Sequence, residues 1–300
     1  ANLGHTLWEE VFPPFQALIR HGVYTHSARL LRVHGCHALT LPKTRELCSK
    51  FASAVVPAVF GGGWDDVASL RDRLTRQHPH GRARHACFDT LVAGGAWTAF
   101  DFEMLNTGKE PALALFRARV LRYHGLPASL VPTKHLILLN MKGSDALTPS
   151  SHSLARRSIT NLPSLLAGLK ARVSHRATVE PIFWASKSMR EQFELASRAT
   201  IVITEGGGGS MHLVFCPTGA HLIFTETRAR NSGCPSGCSM PLDFEWWTHV
   251  RHLRVLWYQV EDKDERAQQR KDGRDEGVNV DVQAMSRLVV GALDDMEPPN

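Results

Sequence analysis

The sequence predicts an α/β fold built on a parallel sheet, and two features of its second half support this. Apolar runs alternate there with helical segments, and repeated strand–helix units imply a parallel sheet covered on both faces. The clearest strand lies between His135 and Asn140, where the continuous apolar run is typical of a buried parallel strand. With 300 residues, of which 43% are hydrophobic and 21% charged, the chain can bury a sizeable core, which excludes fibrous and wholly disordered proteins.

The first half is predicted to contain three helices and two strands. The helices are predicted over 5–22, interrupted by Pro13-Pro14, over 44–55 and over 111–124, and the strands over 30–33 and 88–94. Gly61–Gly63 and the polar stretch 71–85 indicate turns and a loop. The segment 125–133 contains two prolines and a glycine, and we expect the boundary between two domains there.

The second half is predicted to continue the alternation to its end. Further strands are predicted over 178–183, 200–204, 220–225 and 253–260, and helices over 161–173, 186–197, 210–216 and 281–294. Asn161 is expected to cap the first of these helices, with Pro163 in its first turn. Residues 261–277 are almost all charged or polar and predict a solvated or disordered connector.

Charge and cysteine content narrow the possible partners and compartments. A net charge of +6 and a pI near 9.2 favour anionic partners in general, although a soluble protein that is merely basic fits equally. No apolar run reaches the roughly 18 residues that a membrane span requires. The six cysteines permit a secretory compartment, and Cys234 and Cys238 could close a small disulfide. The chain begins without Met, and we interpret it as lacking its true N-terminus, which could carry an anchor.

A glycine loop is the sharpest local signal. The predicted strand ending at Thr204 leads, after one residue, into Gly206, Gly207, Gly208 and Gly209, and then into a short helix from Ser210. Such a loop lets backbone N–H groups approach a phosphate, and the helix start adds a favourable dipole. It is not a P-loop, because no Gly-Lys-Ser/Thr follows. The alternative is a tight turn at a crowded sheet edge.

A basic pair precedes the first helix of the second half. Arg156 and Arg157, together with Lys142, could meet an anionic ligand near the same sheet edge, because the planar guanidinium suits phosphate. A solvated basic surface is the alternative.

A third signal lies near the N-terminus. His5 and Glu9 share a helix face at i, i+4, with Glu10 beside them, and a His or Glu there could serve as general base toward a hydroxyl. An ordinary amphipathic helix end, capped by Asn2, explains the same residues.

Weaker patterns complete the survey. Asp262 and Asp264 match a short metal-binding pattern of some sugar transferases, but they lie in a charged stretch where chance matches are frequent, so no metal site is predicted. Trp246-Trp247 is interpreted as core in preference to a wall that stacks on an acceptor sugar. We find no Ser-His-Asp, Cys-His or HExxH pattern.

Taken together, these segments resemble the family 61 glycosyltransferases over roughly residues 2–260. The similar segments are Asn2–Pro13, Cys87–Gly95, Leu136–Asn140, Arg157–Asn161, Glu191–Thr204 and Gly206–Ala220. In the family's signature loop a His is usual where this chain has Gly206, and an Asn where it has His212.

The resemblance implies a GT-B-like architecture, in which two Rossmann-like domains face each other across a cleft and the N-terminal domain is truncated. Residues 1–128 would form the acceptor-side domain, 129–260 the nucleotide-sugar-binding domain, and 261–300 a charged connector with a C-terminal helix.

The implied activity is inverting transfer of a sugar from a nucleotide-sugar to a hydroxyl of a glycan or glycoprotein. The base would come from His5, Glu9 or Glu10, and the donor would be bound by Arg156, Arg157, Asn161, Gly206, Gly207, Gly208, Gly209, Ser210 and His212. The expected donor is a UDP-sugar, with no metal and no further cofactor.

Family habit points to the Golgi or endoplasmic reticulum lumen, with any membrane anchor in the segment before residue 1. Nucleic acid is not an expected partner, because a clustered basic-aromatic surface is missing from the sequence. The alternative is a catalytically inactive protein on the same fold that binds a glycan or a nucleotide.

Overall fold

The structure is a computed structural model and divides into two compact units. It describes residues 5–32, 36, 42–77, 89–92, 109–128, 133–141, 158–205, 208–225, 247, 250–258 and 278–296. The first unit comprises Ala1–Asp101 and Leu105–Ala128, and the second comprises Phe102–Met104 and Ser129–Asn300. The predicted α/β class is confirmed, because strands pair in parallel in each unit and helices connect them.

The first unit is mainly helical. Its described elements are the π-helix His5–Val11, strands β1 (Leu30–Arg32) and β2 (Trp64–Asp66), and helices α1 (Phe12–Arg20), α2 (Pro42–Val59), α3 (Val67–Gln77) and α4 (Glu110–Tyr123). Strands β1 and β2 pair in parallel with Leu30 opposite Trp64, and α2 connects them, so these three elements form a βαβ unit.

Aromatic side chains hold the first unit together. Phe12 and Phe15 of α1 and Phe116 of α4 are fully buried, and the Phe12 and Phe116 ring centroids lie 5.4 Å apart in an edge-to-face contact. The prolines that were expected to interrupt the N-terminal helix instead begin α1. Pro13 lies in its first turn, where the missing N–H breaks no hydrogen bond.

Two predictions for the first half are wrong. The polar stretch from residue 71 was assigned to a loop, yet residues up to Gln77 belong to α3. The buried carboxylate of Asp66 accepts a hydrogen bond from Ser69 N at 2.7 Å and caps this helix. In the predicted strand 88–94, the described residues 89–92 are not a strand, and Leu91 is 62% exposed.

The second unit contains the predicted parallel sheet. Its strands are β3 (His135–Asn140), β4 (Ala177–Ile182), β5 (Ile201–Thr204), β6 (His221–Phe224) and β7 (Arg254–Trp257). Its helices are α5 (Leu162–Val173), α6 (Met189–Arg198), α7 (Val282–Met296) and the 3₁₀-helices Trp184–Ser186 and Gly208–Phe215. The strand order is β4-β3-β5-β6-β7, and every neighbouring pair is parallel.

Both faces of this sheet are buried. Ile137 and Leu139 of β3 belong to one core cluster with residues of α5 and α7. Leu138 points to the opposite face, because side chains alternate along a strand, and it is also 0% exposed. This burial on both sides explains why β3 is an uninterrupted apolar run rather than an alternating one.

Helix α7 is bound to the sheet by charge as well as by packing. Asp295 accepts a hydrogen bond from Arg254 of β7 and lies 3.0 Å from Nε2 of His221 in β6. Burial lowers the pKa of His221, and the hydrogen bond with Asp295 opposes this shift. The sequence predicts this helix but not its place in the core of the second unit.

A close contact between α5 and α7 leads to a first prediction. A Cβ added at Gly168 of α5 would overlap Cγ1 of Val282, whereas a Cβ at Gly291 of α7 would meet no atom within 4 Å. We expect Gly168→Ala to lower the free energy of unfolding by about 1–3 kcal/mol through overpacking. Gly291→Ala should raise it by roughly 0.5–1 kcal/mol, because Ala favours a helix. Chemical denaturation measures both, and equal effects would contradict the close approach of the two helices.

Candidate functional site

Buried polar side chains gather at the carboxyl edge of the second unit's sheet. Asn140 ends β3, Thr204 ends β5 and is followed by Glu205, and Thr225 follows β6. All four side chains are 3% exposed or less. Because ligands of open parallel sheets bind beyond the carboxyl ends of the strands, this edge is the candidate site.

Glu205 is a buried acidic residue at this edge and lies immediately before the glycine loop. Its Oε2 accepts a hydrogen bond from Asn140 Nδ2 at 2.7 Å, and its Oε1 accepts one from Ile159 N at 3.4 Å. The buried carboxylate thereby connects β3, β5 and the segment that leads into α5. Sequence analysis did not single out Glu205. An acidic residue at the end of an apolar strand nevertheless indicates a buried carboxyl group that needs hydrogen-bond partners.

Gly209 brings the backbone close to two neighbours. A Cβ at this position would lie 3.3 Å from Asn140 Nδ2, slightly tighter than ordinary van der Waals contact, and 3.4 Å from Trp184 Cδ1. The last glycine of the loop therefore packs closely against these two side chains.

His212 is held from three sides. Its ring stacks on Trp184 with centroids 4.6 Å apart and planes 11° apart, and the residue is 3% exposed. Nε2 contacts Oε1 of Gln192, and Nδ1 lies 3.3 Å from the carbonyl oxygen of Gly209. Gln192 Nε2 donates to the carbonyl oxygens of Trp184 and Lys187, so the Gln192 oxygen must face the imidazole. Nε2 of His212 therefore carries a hydrogen.

Two hydrogen-bonding atoms at the same edge have no partner among the described residues. They are Nε1 of Trp184 and Oγ1 of Thr225, in side chains that are 6% and 0% exposed. Buried polar groups are nearly always hydrogen-bonded, so each of these two atoms could bind a further group at this edge.

Asn161 does not cap α5 with its side chain, so that prediction is wrong. Its Nδ2 donates to the carbonyl oxygen of Val280 at 2.8 Å, and its Oδ1 accepts from Val280 N at 2.9 Å. The amide instead pairs with the backbone before α7, because that partner satisfies both of its polar atoms. Its role in donor binding stays a prediction.

The remaining predicted donor-binding residues divide into two groups. The helix predicted from Ser210 is present as a 3₁₀-helix that begins at Gly208, and Ser210 is fully buried. Arg156, Arg157, Lys142, Gly206 and Gly207 lie outside the described residues.

The predicted base residues belong to the first unit. His5, Glu9 and Glu10 lie on the π-helix His5–Val11, whose hydrogen bonds run from i to i+5 rather than i+4. One turn of this helix therefore separates His5 from a point between Glu9 and Glu10. π-Helices are rare and frequently occur at functional sites.

Glu10 forms an ion pair with Arg32, which in turn contacts a disulfide. Its Oε2 lies 2.5 Å from Nη2 of Arg32, and the Glu10 side chain is 39% exposed. The Arg32 guanidinium lies 5.2 Å from the Trp64 ring centroid and 3.3 Å from Sγ of Cys36, which is disulfide-bonded to Cys48. This pairing was not predicted, and Cys234 and Cys238 lie outside the described residues.

Three further expectations concern the whole chain. Within the described ranges, no group of three His, Cys, Asp or Glu side chains could hold a metal ion. No helix there has the length and apolarity needed to cross a bilayer. Trp247 is fully buried, which confirms its interpretation as a core residue, and Asp262 and Asp264 lie outside the described part of the chain.

Comparison with family models gives a match over part of the chain. Residues 97–223 match the family model described as Glycosyltransferase 61. The matched range contains strands β3 to β5, the glycine loop and most of β6, and within this range it confirms the resemblance recognised in the sequence. A comparison with curated proteins gives no match.

Proposed function

We propose that this chain, in which residues 97–223 match the glycosyltransferase 61 family, is an inverting glycosyltransferase. It transfers a sugar from a UDP-sugar to a hydroxyl of a glycan or glycoprotein, without a metal or another cofactor. The reaction takes place in the lumen of the Golgi or endoplasmic reticulum. The observation that carries the proposal is the glycine loop at the carboxyl edge of a parallel sheet, inside the matched range.

The proposed reaction needs a base for the acceptor hydroxyl and a site that stabilises the negative charge of the leaving diphosphate. The acceptor hydroxyl loses its proton to the base while its oxygen bonds to the anomeric carbon. The bond from that carbon to the donor's diphosphate breaks, and the diphosphate leaves with the electron pair. The proposal includes a GT-B-like arrangement, in which His5, Glu9 or Glu10 supplies the base from a domain facing the donor. Loop N–H groups and Arg157 stabilise the leaving diphosphate.

The environment of His212 supports an anion site at the loop. Its Nε2 donates to Gln192, and its Nδ1 faces a second acceptor, the Gly209 carbonyl oxygen. Both ring nitrogens are thus held against protein oxygens, so the imidazole is fixed beside the loop at which a donor phosphate binds in this proposal.

A second candidate function rests on the altered signature loop. Gly206 stands where the family usually has a His, and His212 stands where it has an Asn. A relative that has lost turnover but still binds a nucleotide or glycan would carry such changes. Release of UDP from a UDP-sugar in the presence of acceptors separates the enzyme from the binder.

The test of the donor site is nucleotide binding by an arginine variant. We expect Arg157→Ala to weaken UDP binding roughly 30-fold or more, because truncating one member of a charge pair costs at least about 2 kcal/mol. Isothermal titration calorimetry measures the dissociation constant, after a thermal-shift panel of nucleotides has shown which ones stabilise the chain.

The matched control is Arg172→Ala. Arg172 lies exposed in the last turn of α5, and its loss should leave UDP binding unchanged. Equal affinity in both variants would remove Arg157 from the site. A panel without any stabilising nucleotide would instead favour the glycan-binding alternative.

A further inference from the structure

Trp184 has a buried hydrogen-bond donor that no described residue uses. It begins the 3₁₀-helix after β4 and is 6% exposed, and its Nε1 contacts no acceptor in the described part of the chain. Leaving an indole N–H unpaired in the interior is unfavourable, and a Phe at this position would avoid the cost. The indole N–H groups of Trp8 and Trp247 likewise donate no hydrogen bond within the described residues, so it is the position of Trp184 beside the glycine loop that suggests a ligand as its partner.

The unpaired donor faces the glycine loop. Cδ1 of Trp184, the ring atom bonded to Nε1, lies 3.4 Å from the Cβ position of Gly209. The side of the indole that carries Cδ1, next to Nε1, therefore lies against the last residue of the loop. Nε1 itself is buried, and glycine is the residue whose backbone has the widest conformational freedom.

The orientation of the indole is fixed by its neighbours. One face stacks on His212, and the Trp184 carbonyl oxygen accepts a hydrogen bond from Gln192 Nε2 at 2.8 Å. Gln192 also contacts the His212 ring, so the three side chains restrain one another. A donor held in place before the ligand arrives loses little entropy when it binds.

The chemistry of an indole limits the ligand. Nε1–H can only donate, so its partner must be an acceptor and cannot be a cation. The backbone N–H groups of a glycine loop that leads into a helix favour a negatively charged partner. An oxygen of a phosphate group meets both requirements.

We propose that Trp184 is a donor-binding residue whose Nε1–H donates a hydrogen bond to a diphosphate oxygen of the nucleotide-sugar. The assignment rests on the proposed function and adds a residue that the sequence motifs do not contain. His212 and Gln192 act as positioning residues for the indole.

The experiment compares Trp184→Phe with the unaltered chain. Phe removes the N–H and keeps an aromatic ring against His212. Titration calorimetry with UDP and, separately, with inorganic pyrophosphate should show about 10-fold weaker binding of both, the loss of one hydrogen bond to a charged group. The control is Trp257→Phe. Trp257 lies on β7, the edge strand farthest from β4, which precedes Trp184, and this variant should bind UDP and pyrophosphate as tightly as the unaltered chain does.

A measurement on the unaltered chain accompanies the variant, in case Trp184→Phe lowers folding yield. The chain has seven tryptophans, and ¹⁵N labelling of their indoles gives one N–H signal for each. One signal should move on addition of pyrophosphate, and it should be the signal that Trp184→Phe lacks. Melting of the ligand-free variant reports whether the fold is kept.

The outcomes separate this inference from the proposed function. Unchanged UDP affinity in Trp184→Phe overturns the inference and leaves the proposed function standing. Pyrophosphate binding that weakens in the variant, with no nucleotide bound by either chain, supports the phosphate contact and overturns the nucleotide donor. If the unaltered chain binds neither probe, both proposals are wrong.

Discussion

Replacing Glu10 with Gln is expected to reduce turnover by about 100-fold or more while nucleotide affinity stays within about twofold. The amide cannot take a proton from the acceptor hydroxyl, and a positioned base contributes at least about 100-fold to such reactions. Initial rates with the donor identified by calorimetry measure turnover, and UDP titration measures binding. Glu9→Gln is tested in parallel, because the two residues follow each other in the π-helix.

The matched control is Glu46→Gln, an exposed carboxylate on α2 of the same unit. Its turnover should equal that of the unaltered chain. Glu10→Gln also breaks the ion pair with Arg32, but a pair in which Glu10 is 39% exposed contributes at most about 1 kcal/mol. The variant should therefore unfold at nearly the usual temperature. Full activity in both the Glu9 and the Glu10 variants would remove the base assignment.

Replacing Glu205 with Ala is expected to lower the free energy of unfolding by about 2–4 kcal/mol. The substitution deprives Asn140 Nδ2 and Ile159 N of a charged acceptor in a site that is 1% exposed. Unsatisfied buried donors cost about 1–3 kcal/mol each, and Asn140 recovers part of this through Thr204 Oγ1 at 3.3 Å. Chemical denaturation followed by circular dichroism measures the change.

Glu194→Ala provides the comparison for Glu205→Ala. Glu194 lies on α6, where its side chain is 39% exposed and 3.6 Å from Arg190. A surface pair of this kind contributes little, so the variant should remain within about 0.5 kcal/mol of the unaltered chain. If Glu205→Ala proves equally mild, the carboxylate does not stabilise the junction of β3, β5 and the glycine loop.

The elements that sequence analysis predicted well are those whose pattern is local. Strand β3 is one apolar run, and α4 presents buried Leu113, Phe116 and Val120 at helical spacing with Pro111 in its first turn. In both cases the residues that decide the structure are neighbours in the chain, so their periodicity is enough.

The wrong predictions concern segments whose structure depends on contacts with residues outside the segment itself. Helix α3 is polar on most of its surface, and its capping residue Asp66 belongs to the preceding strand, so the segment resembled a loop. Asn161 could cap a helix by composition, but Val280, far along the chain, supplies better partners. Local propensity was overridden in each case by a contact that the sequence does not reveal.

In the candidate site, too, the sequence predicts the local pattern and not the contacts between residues far apart in the chain. The glycine loop could be located because it follows an apolar strand, and its surroundings could not. Asn140 meets Glu205 across 65 residues, and Gln192 meets His212 across 20. Trp184 and Glu205 were missed because a single Trp or Glu after a strand has many explanations until its neighbours are known.

The place of α7 in the second unit has a consequence for synthesis of the chain. A ribosome makes all five strands of the sheet, and then residues 258–281, before Val282–Met296 emerges. Until then, α7 does not cover the apolar side of α5 against which it packs in the folded unit. At about 5–20 residues per second, the nascent sheet waits seconds with an open apolar surface. We therefore expect this unit to be prone to aggregation until α7 has been translated.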